Sequence, residues 1–359
     1  MVAAYTYFSF RFRFLDPTGS PTHRRWYSGV VSNDGISLKE GMVYFEDIED
    51  IRWESEYKMV ILLLPYIACS ALVTDNILPE TYTVVLDTRQ SELGSLKTTL
   101  NKYFTYAKTE RKRRKLKRLG ELDRFRTLPC PSCEAVLDLS GLEETKYIYC
   151  RYCETIFTDM GNTIPHMDDY RPCPECRYFG HVQEFRDVRF YFYGKENSAA
   201  YARTITCCDS CAQRLYDEAV WRNLGYLLAF PFSLYLRFHS EIGQHPDFKR
   251  LTDANRNAHE GKLKPALEDY DLILMQHKFH PGVLYNKARA QLLASESNEN
   301  DKRPLRTEAA RQFAFCLQAC ANYEPAIYLM QQFDEAEYFD FDIPRIEVDT
   351  SKRTFRDYE

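Results

Sequence analysis

Eight of the twelve cysteines in this 359-residue chain fall into four pairs at one spacing: Cys130/Cys133, Cys150/Cys153, Cys173/Cys176 and Cys208/Cys211. Two thiolates separated by two residues sit on one tight turn. Both sulfurs can then reach a single ion about 2.3 Å away, and two such turns complete a tetrahedron. The first two pairs read Cys-x2-Cys-x16-Cys-x2-Cys, inside the spacing window of a four-thiolate zinc site, and the last two read Cys-x2-Cys-x31-Cys-x2-Cys, with a longer insert. A redox Cys-x-x-Cys needs only one pair, at the head of a helix between two strands. The expected cofactor is therefore Zn2+, two ions, with iron as the other metal that four thiolates accept. Sequential pairing is expected, although a cross-brace joining the first pair to the third and the second to the fourth uses the same residues. Cys207, beside Cys208, reads as a bystander with an alternative role as ligand, and Cys69, Cys316 and Cys320 read as small core residues in apolar segments. Filling all four positions leaves none for water or substrate, so the metal is expected to be structural and no catalytic residue is assigned.

Three of the turns, Cys130-Pro131-Ser132-Cys133, Cys150-Arg151-Tyr152-Cys153 and Cys173-Pro174-Glu175-Cys176, read as metal knuckles. On these residues, stretch 130–211 resembles two successive zinc ribbons of the rubredoxin-knuckle kind. The resemblance implies short strands at 135–139 and 146–149. In the second ribbon it implies a longer hairpin of 182–193 and 199–206, turning at Gly194-Lys195-Glu196-Asn197. It implies metal binding and leaves the process open, because ribbons serve nucleic-acid binders, enzymes and adaptors alike.

The chain before the cysteines follows strand logic. In 5–14, Phe8, Phe10, Phe12 and Phe14 share one face, with Ser9, Arg11 and Arg13 between them, as in a half-buried strand. Further strands are predicted at 24–31, Gly35–Leu38, 42–46, 51–54, 59–64 and 81–87, followed by a helix at 91–119 with the apolar stripe Leu93, Leu96, Leu100 and Phe104. Seven strands and then one helix resemble a pleckstrin-homology-like domain, a bent antiparallel sheet capped by a helix. That resemblance implies a module for lipid, peptide or protein; another small β-barrel with a trailing helix would read the same. For a phosphoinositide, Arg11, Arg13, His23, Arg24 and Arg25 are the nearest basic residues, and loop 16–22 has no Lys or Arg. The apolar run 59–73 is too short for a membrane span and contains Pro65, so two buried strands are expected there.

From Lys102 to Arg126, eleven Lys and Arg stand against three acids. The densest part, Arg111, Lys112, Arg113, Arg114, Lys115, Lys117 and Arg118, supplies the candidate anion-binding residues. Like charges at i+3 and i+4 repel, so the run needs water or an anionic partner. The candidates are nucleic-acid phosphates, an anionic membrane surface, or the chain's own tail 334–359, with nine acids and four basic residues. A solvated linker helix is the plain alternative, and the run lacks interleaved aromatics.

Between 247 and 330 the apolar period becomes 3.6. Ala254, Gly261, Ala266, Tyr270 and Ile273, and then Leu284, Tyr285, Ala288, Ala309, Phe313 and Cys316, resemble tetratricopeptide repeats, with small residues at helix crossings and large ones in the groove. The second copy is interrupted by a polar insertion at 296–306, and Pro325 opens a third pair left unfinished. The resemblance implies a groove for peptides or subunits. Two repeats are too few to stand alone and should lean on another part of the chain; a plain helical bundle is the alternative. The uncharged run 224–236 is too short to span the membrane and contains Pro231, so it is expected to dock the helices on the rest, with a membrane-dipping segment as the alternative.

With 45% hydrophobic and 28% charged residues the chain is an ordinary foldable one, and a net charge of −5 is too small to drive nucleic-acid binding in bulk. Residues 1–14 alternate polar and apolar rather than forming a leader, so a cytoplasmic location is expected. No Gly-rich phosphate loop, Gly-x-Ser-x-Gly elbow or His-Glu-x-x-His is present, and His277 and His280 read as surface residues, so no enzyme is expected. The expected architecture is α+β and multidomain. Its parts are 1–119, a pleckstrin-homology-like domain with the basic helix; 127–165 and 166–220, the zinc ribbons; 221–246, an apolar connector; 247–333, tetratricopeptide-like helices; and 334–359, an acidic tail. The expected function is a non-catalytic zinc-binding adaptor acting through protein–protein contact, without a small-molecule substrate. A nucleic-acid-binding factor and a membrane-peripheral protein are the alternatives.

Overall fold

The computed structural model describes residues 7–16, 18–39, 41–54, 57–64, 82–162, 167, 169–193, 197–224, 231, 234–235, 248–297, 302–331 and 333, with the backbone alone at 187–193 and 197–203. Cys69, most of 224–236 and the tail 334–359 lie outside them. The chain forms two compact units, residues 1–141 and 142–359.

In the first unit, β1 (Phe8–Phe14), β2 (Tyr27–Val31), β3 (Gly35–Leu38), β4 (Gly41–Tyr44), β5 (Ile48–Trp53), β6 (Lys58–Leu63) and β7 (Thr83–Asp87) form one antiparallel sheet in the order β4-β3-β2-β1-β7-β6-β5. The strands fall where alternation placed them. Phe10, Phe12 and Phe14 are buried, while Ser9 and Arg11 between them are exposed. Helix α1 (Leu93–Leu119) lays Leu96, Leu100 and Phe104 into the same core, each burial contributing roughly 1.5–3 kcal/mol. Further along, Thr105 and Thr109 are buried and return their hydroxyl hydrogens to carbonyls one turn back. The helix stops at Gly120, whose left-handed φ of 74° lets the next amide reach the Leu116 carbonyl. Two short strands follow, β8 (Thr127–Pro129) and β9 (Val136–Asp138), paired antiparallel. The Val136 amide donates to Thr105 Oγ1 at 2.7 Å, tying this hairpin to α1.

The second unit opens with the hairpin β10 (Tyr147–Tyr149) and β11 (Ile156–Thr158), then the sheet β12 (Tyr170–Pro172), β13 (Phe179–Tyr193) and β14 (Asn197–Cys208). β13 and β14 pair from Val182↔Cys208 to Tyr193↔Asn197, the long hairpin the sequence leads one to expect. Helix α2 (Asp209–Arg222) follows without a loop. Next come α3 (Lys249–His259) and α4 (Leu263–Gln276), α5 (Pro281–Ser297) and α6 (Lys302–Ala319), and the short α7 (Glu324–Met330). Ala254, Ala266, Tyr270, Ile273, Ala288, Ala309, Phe313 and Cys316 are all buried, as the 3.6 period requires. They share one core with Tyr170, Tyr178, Phe179 and the last four paired cysteines, so the helices do lean on the strands. Among the described residues no helix is long and apolar enough to cross a membrane.

His280 corrects the surface expectation: it is 1% exposed, ringed by Tyr147, Phe179 and Phe248 at centroid distances of 5.3–5.8 Å. Burial, then the charges of His277 and Lys146, push its imidazole from 6.5 down to about 3. The folded state thus keeps His280 neutral while the unfolded chain protonates it. Its contribution is complete above pH 6.5 and is lost toward pH 3, at about 1.4 kcal/mol per unit. Denaturant titrations at pH 7 and pH 5.5 with metal in excess should show that His280→Leu removes this part of the pH dependence. Equal slopes in the two proteins would refute it.

Candidate metal centres

The metal turns begin in the backbone. In each knuckle, the amide of the first cysteine donates across the turn: Cys130 to the Ala135 carbonyl, Cys150 to Thr155 and Cys173 to Tyr178, at 2.8–2.9 Å. The amide four residues on returns to the first cysteine's carbonyl, from Glu134, Glu154 and Arg177, at 2.7–2.9 Å. Those three residues are left-handed, with φ of 58°, 62° and 63°. That conformation curls both thiols to one side, at a steric cost on the order of 1–2 kcal/mol for a residue with a Cβ. The three Cys-x2-Cys sequences share this loop although none has a glycine at its left-handed position.

The fourth pair is built differently. Cys208 ends β14 and is the N-cap of α2, and Cys211 lies in that helix's first turn. Asp209, at the first helical position, is 3% exposed and faces His181 Nδ1 at 3.2 Å and Gln183 Nε2 at 3.3 Å. A carboxylate at a helix N-terminus is favourable, and its bond to His181 raises the imidazole's pKa. Together these contacts pin the strand–helix junction that presents both sulfurs.

The cysteines gather sequentially. Cys130, Cys133, Cys150 and Cys153 form one group and Cys173, Cys176, Cys208 and Cys211 the other, the sulfurs of each lying within 4.8 Å of one another. The cross-brace is thereby excluded. All eight are buried except the half-buried Cys153, and none of the eleven described cysteines is joined in a disulfide. In the second group Cys176 and Cys208 sulfurs are 3.6 Å apart, and the Cys208 amide donates to Cys173 Sγ at 3.1 Å. Hydrogen bonds from Cys173, Cys176 and Cys208 pull the Cys211 thiol down, while contacts led by Cys173 push Cys176 and Cys208 up. Sulfurs this close cannot all carry negative charge unless protons or a cation neutralise it. Four soft donors in a closed set fit a metal ion and are consistent with zinc.

Cys207 is buried outside both groups, and burial pushes its thiol up, as suits a bystander. Cys316 and Cys320 are fully buried in the helical core.

The basic run divides. Arg111 donates to the carbonyls of Glu46 and Ile48, at 2.6 and 3.1 Å, Arg114 pairs with the Glu46 carboxylate, and Arg113 pairs with Glu110. Arg111 and Arg114 fasten α1 to the segment around Glu46 and Ile48, while the Arg113 pair stays within the helix. Lys112 is half-buried, whereas Lys115, Lys117 and Arg118 are exposed and form no ion pair among the described residues.

Three asparagines have no counterpart in the sequence analysis. Asn286 accepts the Phe179 amide at 2.6 Å and donates to the Phe179 carbonyl at 2.7 Å, and Asn255 donates to the same carbonyl at 3.0 Å. Asn322 treats Tyr149 alike, at 3.0 and 2.7 Å. The available signal is a polar residue on an apolar helix face, as in Tyr285-Asn286-Lys287-Ala288.

No protein-family model, curated protein or solved structure matches this chain.

Proposed function

We propose that this protein is a cytoplasmic, non-catalytic zinc-binding adaptor that works through protein–protein contact. The observation that carries this is the closure of the cysteine groups, four sulfurs within 4.8 Å in each. Zinc held by four thiolates has no position left for water or substrate, so it stabilises the fold and recognition falls to neighbouring surfaces. The sheet order, with β1–β4 and β5–β7 flanking one core under α1, supports a pleckstrin-homology-like reading of residues 1–119. The paired helices with small residues at their crossings support the tetratricopeptide-like one. On α4 and the turn after it, Leu272, Met275 and Phe279 are 42%, 72% and 58% exposed, apolar side chains open to a protein partner.

A nucleic-acid-binding factor is the second reading, favoured by exposed Lys115, Lys117 and Arg118. One titration separates the two. Binding to RNA and duplex DNA is measured from 50 to 300 mM salt, in parallel with metal analysis and co-purification from the native source. The adaptor predicts two equivalents of zinc, a stoichiometric protein partner and negligible nucleic-acid affinity. Each phosphate contact adds about −0.9 to the slope of log K against log salt. A slope near −3, abolished by reversing Lys115, Lys117 and Arg118 to Glu, would overturn the adaptor. Arg111 and Arg114 are left intact because they hold the helix to the sheet.

A further inference from the structure

We infer that Asn322 and Asn286 are positioning residues for the two metal centres, each fixing the backbone of one knuckle from the helical part of the chain. The inference rests on the reading that the cysteine groups hold metal.

The two sites repeat one device. Tyr149 is the last residue of β10 and immediately precedes Cys150; across the hairpin it faces Ile156. Its amide and carbonyl are both taken by Asn322, in the turn between α6 and α7. Phe179 opens β13, three residues after Cys176, and faces Pro172, which immediately precedes Cys173. Its amide and carbonyl are both taken by Asn286 in α5. A carboxamide carries one acceptor and a donor pair in one plane, so it pairs with a residue's N–H and C=O as a neighbouring strand would. Each asparagine therefore stands in for an absent strand at the edge of a metal hairpin.

The second clamp is locked further. Asn255 accepts from Asn286 at 2.9 Å and from the Tyr270 hydroxyl at 2.8 Å. Asn286, Asn255, Tyr270 and Phe179 are each at most 1% exposed. Dry amides with every partner in place hold one geometry, since any movement leaves buried polar groups unpaired. Phe179 follows Tyr178, whose carbonyl receives the Cys173 amide and so closes the knuckle. Fixing Phe179 thus fixes the loop that aims Cys173 and Cys176. Asn322, by gripping Tyr149 next to Cys150, does the same for Cys150 and Cys153.

Groups that orient ligands without touching the metal are worth about 10–100-fold in affinity. The clamps differ in address, and this provides the test. Full-length protein is loaded with zinc, and release to a chromophoric chelator is followed; Co2+-loaded protein gives the thiolate charge-transfer band as a second readout. Cys133→Ser assigns the phases: the one it removes belongs to the first centre and the one it leaves to the second. Asn322→Ala should speed release from the Cys130/Cys133/Cys150/Cys153 centre 10–100-fold and leave the other within about threefold; Asn286→Ala should do the reverse. If Asn286→Ala does not fold, Asn255→Ala, which removes one of the two bonds to the Phe179 carbonyl, should speed the same phase by a smaller factor. Phe313→Leu serves as a core control that disturbs the helices without touching either clamp. The inference is overturned if the asparagine variants release both ions at the parent rate, or speed both phases equally, the outcome expected of the general core loosening that Phe313→Leu reports. A parent protein that neither contains nor takes up Zn2+ or Co2+ would instead refute the metal reading on which the inference stands.

Discussion

Replacing Cys176 with serine will abolish cooperative melting of residues 142–359 and lower bound zinc well below the parent's two equivalents, since Cys150 and Cys153 of the first group also lie in that stretch. Cys176 is 6% exposed and shares its group with Cys173, Cys208 and Cys211. A hydroxyl is a far weaker donor than a thiolate, and three sulfurs left behind cannot close the tetrahedron. Structural zinc contributes an apparent 10–16 kcal/mol, strongly pH-dependent, against a typical folding stability of about 5–15 kcal/mol. The loss therefore competes with the whole stability of the unit rather than trimming it. The effect should spread because all four cysteines lie in one core with Tyr170, Phe179, Tyr270, Tyr285 and Phe313. Cys207→Ser is the matched control: it removes an adjacent buried thiol outside both groups, and should keep two equivalents and a sharp transition. Elemental analysis with thermal melting reads both outcomes. Two equivalents of zinc and an unchanged transition in Cys176→Ser would show that this group does not hold the ion.

A second large effect is expected from a glycine. A Cβ built on Gly282 would lie 2.4 Å from the Phe179 ring, closer than carbon atoms tolerate. The ring cannot retreat, since Phe179 is fully buried, packed against His280 and Tyr170, and held at its backbone by Asn286. Alanine in place of glycine normally favours a helix by about 1 kcal/mol. Here Gly282→Ala should instead destabilise by about 1–3 kcal/mol, and Gly282→Val by at least about 3 kcal/mol. The double variant Gly282→Ala with Phe179→Leu should be more stable than the sum of the single changes, because the smaller side chain vacates the space. Additive losses, read by denaturant unfolding, would mean that the contact is not the cause.

Much of the architecture is legible because it is encoded locally. The alternation around Phe10, Phe12 and Phe14 sets strand and buried face together, and Leu96, Leu100 and Phe104 do so for α1. The Cys-x2-Cys turns announce themselves because two ligands on one turn depend on a few consecutive residues. Helix α2 is the element that the ribbon resemblance hides. Its buried Ala212, Tyr216 and Ala219 have helical spacing, but the ribbon reading ends its elements at the hairpin strand 199–206 and assigns none after Cys208. The basic run is legible as charge and illegible as structure: nothing nearby in sequence announces that Arg111 and Arg114 are committed to Glu46 and Ile48, some 63–68 residues away.

The sequence by itself determined the pairs of cysteines, the strands of the first unit and the apolar faces of the helices, since spacing and period are properties of neighbouring residues. Only the tertiary structure decided that the helices and the second cysteine group share one core. It alone decided that His280 is dry, that Gly282 must lack a side chain, and that three asparagines grip two knuckles. Each of those depends on which surfaces meet across 75 to 175 residues of chain, as Asn255 with Phe179 and Asn322 with Tyr149 do, at separations of 76 and 173. No local pattern carries that information, because a buried asparagine and a misplaced one look alike until their partners are known.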